Sequence, residues 1–472
     1  MALVAGIDSS TQSCKVMVCE ADSGAVVRSA SRPHPAGTEV DPGAWWQALQ
    51  LAIADAGGLE DVDAVSVGAQ QHGMVCLDRA GGVVRDALLW NDTRSSGAAD
   101  ELIDDLGGTG EWAREIGVVP VASITATKLR WLADHEPDHA DATAAVCLPH
   151  DWLTWRLTGS SDIGDLRTDR SDASGTGYFS AETGEYRDDL LALAMRGRQP
   201  MVPAVLGPSE SAGVSTGGAA LGPGAGDNAA AALGLGAGLG DCVMSLGTSG
   251  VVSAVGERAS HDPDGIVAGF ADATGRQLPL VCTLNGAPVL AAVAGMLGLD
   301  FDRFAELALS APAAANGLVW VPYFDGERSP NLPTARGALQ GVTTTNLTPA
   351  NVARAAVEGL LCSMAYCIEK ITEQGVDVEH VLLVGGGAHS VAVRRLAPAV
   401  LGRPVDVPKP GEYVARGAAR QAAWLLSGAD EPPRWRIEAS ETFTAQHTPE
   451  VLDQYREARG LTLGQSSRVV LV

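Results

Sequence analysis

The sequence is poor in the residues that announce several common functions. Lysine occurs only at Lys15, Lys128, Lys370 and Lys409, and the formal net charge is −24. Nucleic acid and anionic membrane surfaces both need a basic face, so neither is expected as a partner. No two of the cysteines (Cys14, Cys19, Cys76, Cys147, Cys242, Cys282, Cys362 and Cys367) form a CxxC pair, and most lie in apolar segments. That excludes a zinc or disulfide framework and reads as reduced core thiols of a cytoplasmic protein. No apolar run approaches the roughly twenty residues of a membrane helix. The opening residues, Met-Ala-Leu-Val-Ala-Gly-Ile-Asp8, lack a basic region and reach an acid too early for a signal peptide. With lysine so scarce, a phosphate site in this chain would rest on backbone N–H groups and a divalent ion.

What is present is a globular composition, 46% hydrophobic and 19% charged, over 472 residues, enough for two or three domains. The stretch around which the rest is organised is Gly226-Asp227-Asn228-Ala-Ala-Ala-Ala-Leu-Gly234. A glycine-rich approach runs into an acid, an amide and an alanine run of high helix propensity. The pattern predicts a loop that delivers Asp227 and Asn228 to the first turn of a helix. There the free N–H groups and the helix dipole are expected to keep Asp227 ionised. An ordinary Asp or Asn cap has the same local pattern. Two further small-residue turns set this stretch apart: Gly6-Ile-Asp-Ser-Ser-Thr11 and Ser245-Leu-Gly-Thr-Ser-Gly250.

Along the chain, three strands are expected within residues 2–31, with Asp8 at the end of the first, where a carboxylate can hold magnesium. Asp41-Pro42 reads as a helix start, with Trp45, Trp46, Leu49 and Ile53 on its core face. A buried strand, Val62–Gly68, ends in Gln70-Gln71-His72-Gly73, a polar cluster at a strand's carboxyl end, where ligands sit in open α/β sheets. On spacing alone His72 is equally a structural histidine. Trp90, Asn91, Asp92 and Arg94 read as a shell supporting this loop. Helices are expected near 97–106, near 123–135 with Ser123 or Thr125 as cap, and from Pro149 to Thr158. After Asp227 the order strand, small-residue turn, strand recurs at Cys242–Val255, and Val381-Leu-Leu-Val-Gly-Gly-Gly-Ala388 mirrors Val65–Ala69. This predicts a duplicated α/β domain, with residues 1–238 and 239–430 as the two halves and 431–472 as a polar tail.

With these turns in place the chain resembles the FGGY carbohydrate kinases, within the actin, sugar kinase and chaperone ATPase superfamily. Ser123-Ile-Thr-Ala-Thr-Lys-Leu-Arg-Trp-Leu-Ala-Asp-His135 is similar to one family signature. Gly337-Ala-Leu-Gln-Gly-Val342, followed by Asn351-Val-Ala-Arg-Ala-Ala-Val-Glu358, is similar to the other. The resemblance implies two RNase H-like, actin-like ATPase domains around a deep cleft. It implies ATP and Mg2+ as cofactors, a small-molecule sugar as acceptor, and by family alone a homodimer. The segments Gln71-His72-Gly73, Leu89–Arg94, Ser171–Gly175 and Gly226–Ala230 resemble those of members that phosphorylate D-xylulose. Position 71 is Met in some bacterial members and Gln here, which leaves the ketose preference open.

Carried over by position, the resemblance makes Asp227 the acceptor of the sugar hydroxyl proton and Asp8 the residue that orients magnesium and the phosphates. Gln71, His72 and Asn228 would hydrogen-bond the sugar. Thr11, Gly247 and Thr248 would cradle phosphates, and Gly386 and Gly387 would lie against adenosine. Glu327 and Arg328, in the polar stretch Tyr323–Pro330, receive no role. Two other readings stay open: a sister kinase for ribulose, fuculose, gluconate or a tetritol, and a non-catalytic nucleotide-switched protein. Retention of both aspartates and both signatures, without any obvious helix-turn-helix or peptide-binding module, argues against the latter.

Overall fold

The structure is a computed structural model that describes residues 2–437 and 441–466. The chain divides into two compact units, each drawing on more than one stretch of sequence. The first unit takes Met1–Ala237, Glu257–Pro279 and Gly411–Ile437, and the second takes Gly238–Gly256, Leu280–Pro410 and Glu438–Val472.

The first unit is built on a sheet in which Leu3–Ser9 pairs antiparallel with Ser13–Glu20, which pairs with Val26–Pro33. On its other side Leu3–Ser9 runs parallel to Ala64–Ala69, and Ala220–Leu221 and Ala225–Gly226 run parallel to that strand in turn. Alternation along these strands divides the side chains between two faces. Ala5, Ile7, Cys14, Val16, Val18, Val65 and Val67 pack with Trp45, Leu49, Trp152 and Leu153 from the helices Pro42–Asp55 and Pro149–Thr158. Asp41 caps the first of these helices, its carboxylate accepting from Gly43 N at 2.8 Å, with Pro42 in the first turn. Val4, Met17, Cys19 and Ala64 face the other way, against Ala415, Ala419, Ala422 and Ala423 of the helix Tyr413–Ser427.

That second face is unusually tight. A Cβ on Gly6 would stand 1.8 Å from the Ala415 carbonyl oxygen. The helix Asp227–Leu235 packs as closely on the same helix: a Cβ on Gly417 would lie 1.8 Å from the Ala230 carbonyl oxygen, and one on Gly234 would lie 2.0 Å from that of Tyr413. Backbone here meets backbone, which only glycine permits.

The second unit repeats the plan. Asp241–Leu246 pairs antiparallel with Gly250–Ala254 and parallel with His380–Val384, which runs parallel to Val405–Val407. The helix Pro349–Glu373, started by Thr348 at its N-cap, is buried along most of its length and carries an enclosed Arg354–Glu358 ion pair at 2.6 Å. The polar residues beyond 430 form structure too: Glu441–Phe443 adds to the sheet beside Val405–Val407, and Pro449–Ser466 is a helix. Every free cysteine is buried except Cys282, which is partly exposed.

Replacing glycine by alanine inside a helix ordinarily stabilises by about 1 kcal/mol. At Gly417 the overpacking cost, about 1–3 kcal/mol or more, should exceed that gain. Urea unfolding should therefore show G417A less stable than the parent, while G460A, in the helix Pro449–Ser466 with nothing within 4 Å of its added Cβ, should be neutral or stabilising. A stabilised G417A would refute the tight contact.

Candidate functional site

Three parallel strand ends of the first unit bring its candidate residues together. Asp8 lies opposite Gly68, and Gly226 lies opposite Ala69, so Asp8, the Gln70–His72 turn and Asp227 all emerge at one end of the sheet. Asp227 opens its helix from the first helical position, as the glycine approach and alanine run predict, with Gly226 as the N-cap. Its Oδ1 accepts from Asn228 N at 2.8 Å and from Asn228 Nδ2 at 2.9 Å. Asn228 Nδ2 also donates to Gln71 Oε1 at 3.2 Å, and Gln71 Nε2 donates to the Ser171 carbonyl at 3.3 Å. The three residues form a chain of amides that fixes the carboxylate.

The charge state of Asp227 departs from the sequence expectation. Its carboxyl is pushed up to about 7, first by loss of water around it and then by the negative charge of Asp8; the Asn228 backbone N–H works the other way and is outweighed. The helix terminus is a partial charge, and it does not overcome desolvation and a neighbouring carboxylate. Asp8 is itself raised to about 6 by burial, against the opposing pull of Lys15. Lys15 Nζ lies 3.4 Å from Asp8 Oδ2 and 2.6 Å from Glu412 Oε2. Asp8 Oδ1 is buried with no hydrogen-bond partner among the described residues. An enclosed hard oxygen without a donor, beside a second carboxylate whose proton affinity it raises, is a donor set that fits a divalent cation.

His72 takes a left-handed backbone, φ 68°. Its Nδ1 pairs with the Gly175 carbonyl at 2.7 Å, which places the proton on Nδ1 because a carbonyl only accepts. Its ring packs against Phe270, with centroids 5.6 Å apart. A Cβ on Gly175 would lie 2.7 Å from that ring, so the turn 171–175 closes on the imidazole only as glycine. Thr125 does not cap its helix. Ile124 holds the cap position, and the Thr125 hydroxyl donates to the His72 carbonyl at 3.2 Å. Thr11, in the turn after Leu3–Ser9, accepts from Trp90 Nε1 at 2.8 Å and donates to Gln70 at 3.3 Å. Asp92 accepts from Thr38 at 2.7 Å and from Arg94 at 2.8 Å, the supporting shell expected of this loop.

The second unit holds the other candidates. Ser245 pairs with Val384 in adjacent parallel strands, so the turn at Gly247–Ser249 and the turn at Gly385–Gly387 sit side by side. Thr248 is exposed, and Gly247 is half-buried with its carbonyl accepting from Ala287 N at 2.9 Å. Gly385 has φ 87° and approaches the Leu246 carbonyl; Gly386 faces open space, and a Cβ on Gly387 would strike the Leu246 side chain. Glu327 is buried. Its Oε2 accepts from Asn285 Nδ2 at 2.9 Å, and its Oε1 accepts from Arg328 N at 2.7 Å and from Leu284 N at 2.5 Å.

Sequence reasoning missed Lys15 and Phe270. Lys15 could have been found from its register, since it faces Asp8 across the first hairpin and lysine is rare in this chain. Phe270 carries no such signal, because only folding brings residues 257–279 to the first unit.

Comparison with known proteins matches the architecture to a family. Residues 3–245 match the N-terminal domain of the FGGY family of carbohydrate kinases, and residues 242–426 match its C-terminal domain. The chain is 44% identical to a protein named xylulose kinase from Streptomyces rubiginosus, over 96% of this chain and 95% of that one. It is 34% identical to the Escherichia coli protein of the same name, over 92% and 91%. A crystal structure titled as xylulose kinase from Bifidobacterium adolescentis superposes with a TM-score of 0.94 at 47% identity, covering 97% of this chain and 99% of that one. Both domains of the family, nearly full-length relatives and a matching two-domain α/β fold lead to one assignment: this chain belongs to the FGGY family of carbohydrate kinases and is a sugar kinase.

Proposed function

We propose that the chain transfers the γ-phosphoryl group of ATP to a hydroxyl of D-xylulose, giving D-xylulose 5-phosphate and ADP. The observation that carries this reading is the carboxylate Asp227, fixed by Asn228 and Gln71 beside a buried second carboxylate, in a chain whose nearly full-length relatives bear the name xylulose kinase. The sugar oxygen bonds to the γ-phosphorus, the bond from that phosphorus to the β,γ-bridging oxygen breaks, and the sugar proton passes to the Asp227 carboxylate. Phosphoryl transfer has a loose transition state, so holding the hydroxyl in line is the larger part of the task.

The residues divide the work. His72, fixed by its Nδ1–H on the Gly175 carbonyl, is the imidazole assigned to a sugar hydroxyl. Both ends of the Gln71 amide are tied within the protein, so its first role is to set Asn228. Thr11, Gly247 and Thr248 supply small-residue turns for phosphates, and Gly386 and Gly387 give adenosine a surface without side chains. Asp8 would hold Mg2+ by Oδ1, and that ion would neutralise phosphate charge. No helix among the described residues is long and apolar enough to cross a membrane. A homodimer rests on the family alone.

ADP release with ATP and magnesium should be measured against D-xylulose, D-ribulose, L-ribulose, L-fuculose, gluconate, glycerol and no sugar. D-xylulose should give the highest kcat/KM; preference for another acceptor would overturn the sugar assignment, and sugar-independent turnover would overturn the kinase mechanism. Asp227→Asn keeps both Asn228 contacts on Oδ1 and should lower kcat by about 10²–10⁴-fold, the range for a positioned acid or base. Near-normal phosphorylation by this variant would remove Asp227 from the chemistry.

One group sets two opposite pH dependences. As a base Asp227 must be ionised, so kcat/KM of the parent should rise with pH through about 7. Its folded value lies above its ordinary 3.8, so the stabilising contribution is complete below that value and is lost as pH climbs through about 7. In divalent-free buffer D227N should therefore melt above the parent at pH 8, and the gap should narrow toward pH 5. A D227N that melts lower at pH 8 would contradict the burial cost assigned to this carboxylate.

A further inference from the structure

Beneath the candidate sugar-binding residues lies a cluster that the phosphoryl-transfer reading does not use. His150, in the first turn of Pro149–Thr158, is fully buried. Its Nδ1 is 2.6 Å from Asp172 Oδ2, and its Nε2 is 3.1 Å from Asp151 Oδ1 and 3.2 Å from the Pro223 carbonyl, with Asp169 Oδ1 at 4.0 Å. Two of the three carboxylates have further structural work, while Asp172 Oδ1 is buried with no hydrogen-bond partner among the described residues. Asp151 accepts from Leu148 N at 2.7 Å, and Asp169 caps the short helix Arg170–Ala173 by accepting from Ser171 N and Asp172 N.

His150, Asp151 and Asp172 have the residue types of a metal site, with ligand atoms within 4.8 Å of one another. Their arrangement is not that of one. The imidazole lies between the two carboxylates, one beside each nitrogen, and Nε2 is hydrogen-bonded to the Pro223 carbonyl, which only accepts, so that nitrogen must carry hydrogen. Burial alone would favour the neutral ring, but Asp151, Asp172 and Asp169 outweigh it and push the imidazole up to about 10. The cluster is an enclosed cation among acids.

Three segments of the sugar half-site converge on it. Asp172 belongs to the turn whose Ser171 carbonyl receives Gln71 and whose Gly175 carbonyl receives His72. Ser171 Oγ accepts from Gly226 N at 3.1 Å, directly before Asp227. Pro223 begins the approach to the same residue, and Gly224, with φ 84°, passes so close that a Cβ there would lie 2.1 Å from the His150 ring. We infer that His150 is a positioning residue of the sugar site: a buried cation that clamps the Ser171–Gly175 turn to the Pro223–Gly226 approach and so fixes Gln71, His72 and Asp227 relative to one another. The inference rests on the assignment of those three residues to the sugar and touches no nucleotide-binding residue.

The test uses the full-length enzyme with whichever acceptor the parent prefers, so a wrong sugar assignment does not affect it. His150→Asn should raise the acceptor KM, lower kcat, or both, by tenfold or more together, with the ATP KM changed less than twofold. His150→Lys, which restores a cation, should recover a substantial part of the loss. Asp172→Asn, a near-isosteric removal of the opposing charge, should show the same acceptor-selective signature and stand in if H150N does not fold. The double variant should lose far less than the product of the two single losses. Acceptor and ATP constants that worsen equally, unchanged acceptor kinetics in either single variant, or fully multiplicative losses would overturn the positioning role.

Discussion

The close passage of two helices determines where the two candidate carboxylates of the first unit sit. Asp227–Leu235 meets Tyr413–Ser427 through Gly234 and Gly417, and Tyr413–Ser427 meets the sheet through Gly6. These contacts leave no room for side chains, so the two helices and the strand Leu3–Ser9 are held at backbone-to-backbone distance. Asp8 ends that strand and Asp227 begins one of those helices. Their proximity, which raises the proton affinity of Asp227, is thus a result of packing by glycine and alanine some distance from either carboxylate. A looser interface would let the acids separate, and solvation would return them toward ordinary values.

The protein handles burial of charge in two ways. Around His150 the countercharge is supplied inside the fold, one imidazole enclosed by the carboxylates of Asp151, Asp169 and Asp172. At the sheet end the charges are left incompletely matched: Lys15 attends one oxygen of Asp8 while the other has no partner among the described residues. The first arrangement suits a scaffold and the second suits a place where ligands bring the missing charge. In a chain of net charge −24 with so few lysines, leaving that countercharge to be supplied from outside is consistent with the composition as a whole.

Much of this was legible in the sequence because it is local. Turns rich in glycine and small hydroxyl residues marked the strand ends; the glycine-to-alanine transition before Asp227 gave the helix start within a residue; and Asp41-Pro42 gave a cap that the structure contains. What local pattern could not supply was the environment. The ionised Asp227 expected from its helix terminus gave way to burial, because desolvation depends on residues contributed by distant stretches. Thr125 looked like a cap and instead supports the backbone of His72. Phe270 and His150 were silent for the same reason: a phenylalanine in a strand and a histidine in a helix acquire a role only from what they fold against. The polar stretch after residue 430 hid a strand and a helix because neither has strong periodicity of its own.

The discontinuity of the first unit has a bearing on how the protein is made. Its sheet is encoded within the first 237 residues, yet the alanine face that covers Val4, Met17, Cys19 and Ala64 is encoded by residues 411–437. On the ribosome one face of the sheet, including the bare backbone at Gly6, must wait uncovered while the intervening stretch is synthesised. At about 5–20 residues per second that interval lasts roughly ten to forty seconds. A small-residue face exposes less apolar surface during that delay than a leucine-rich one would.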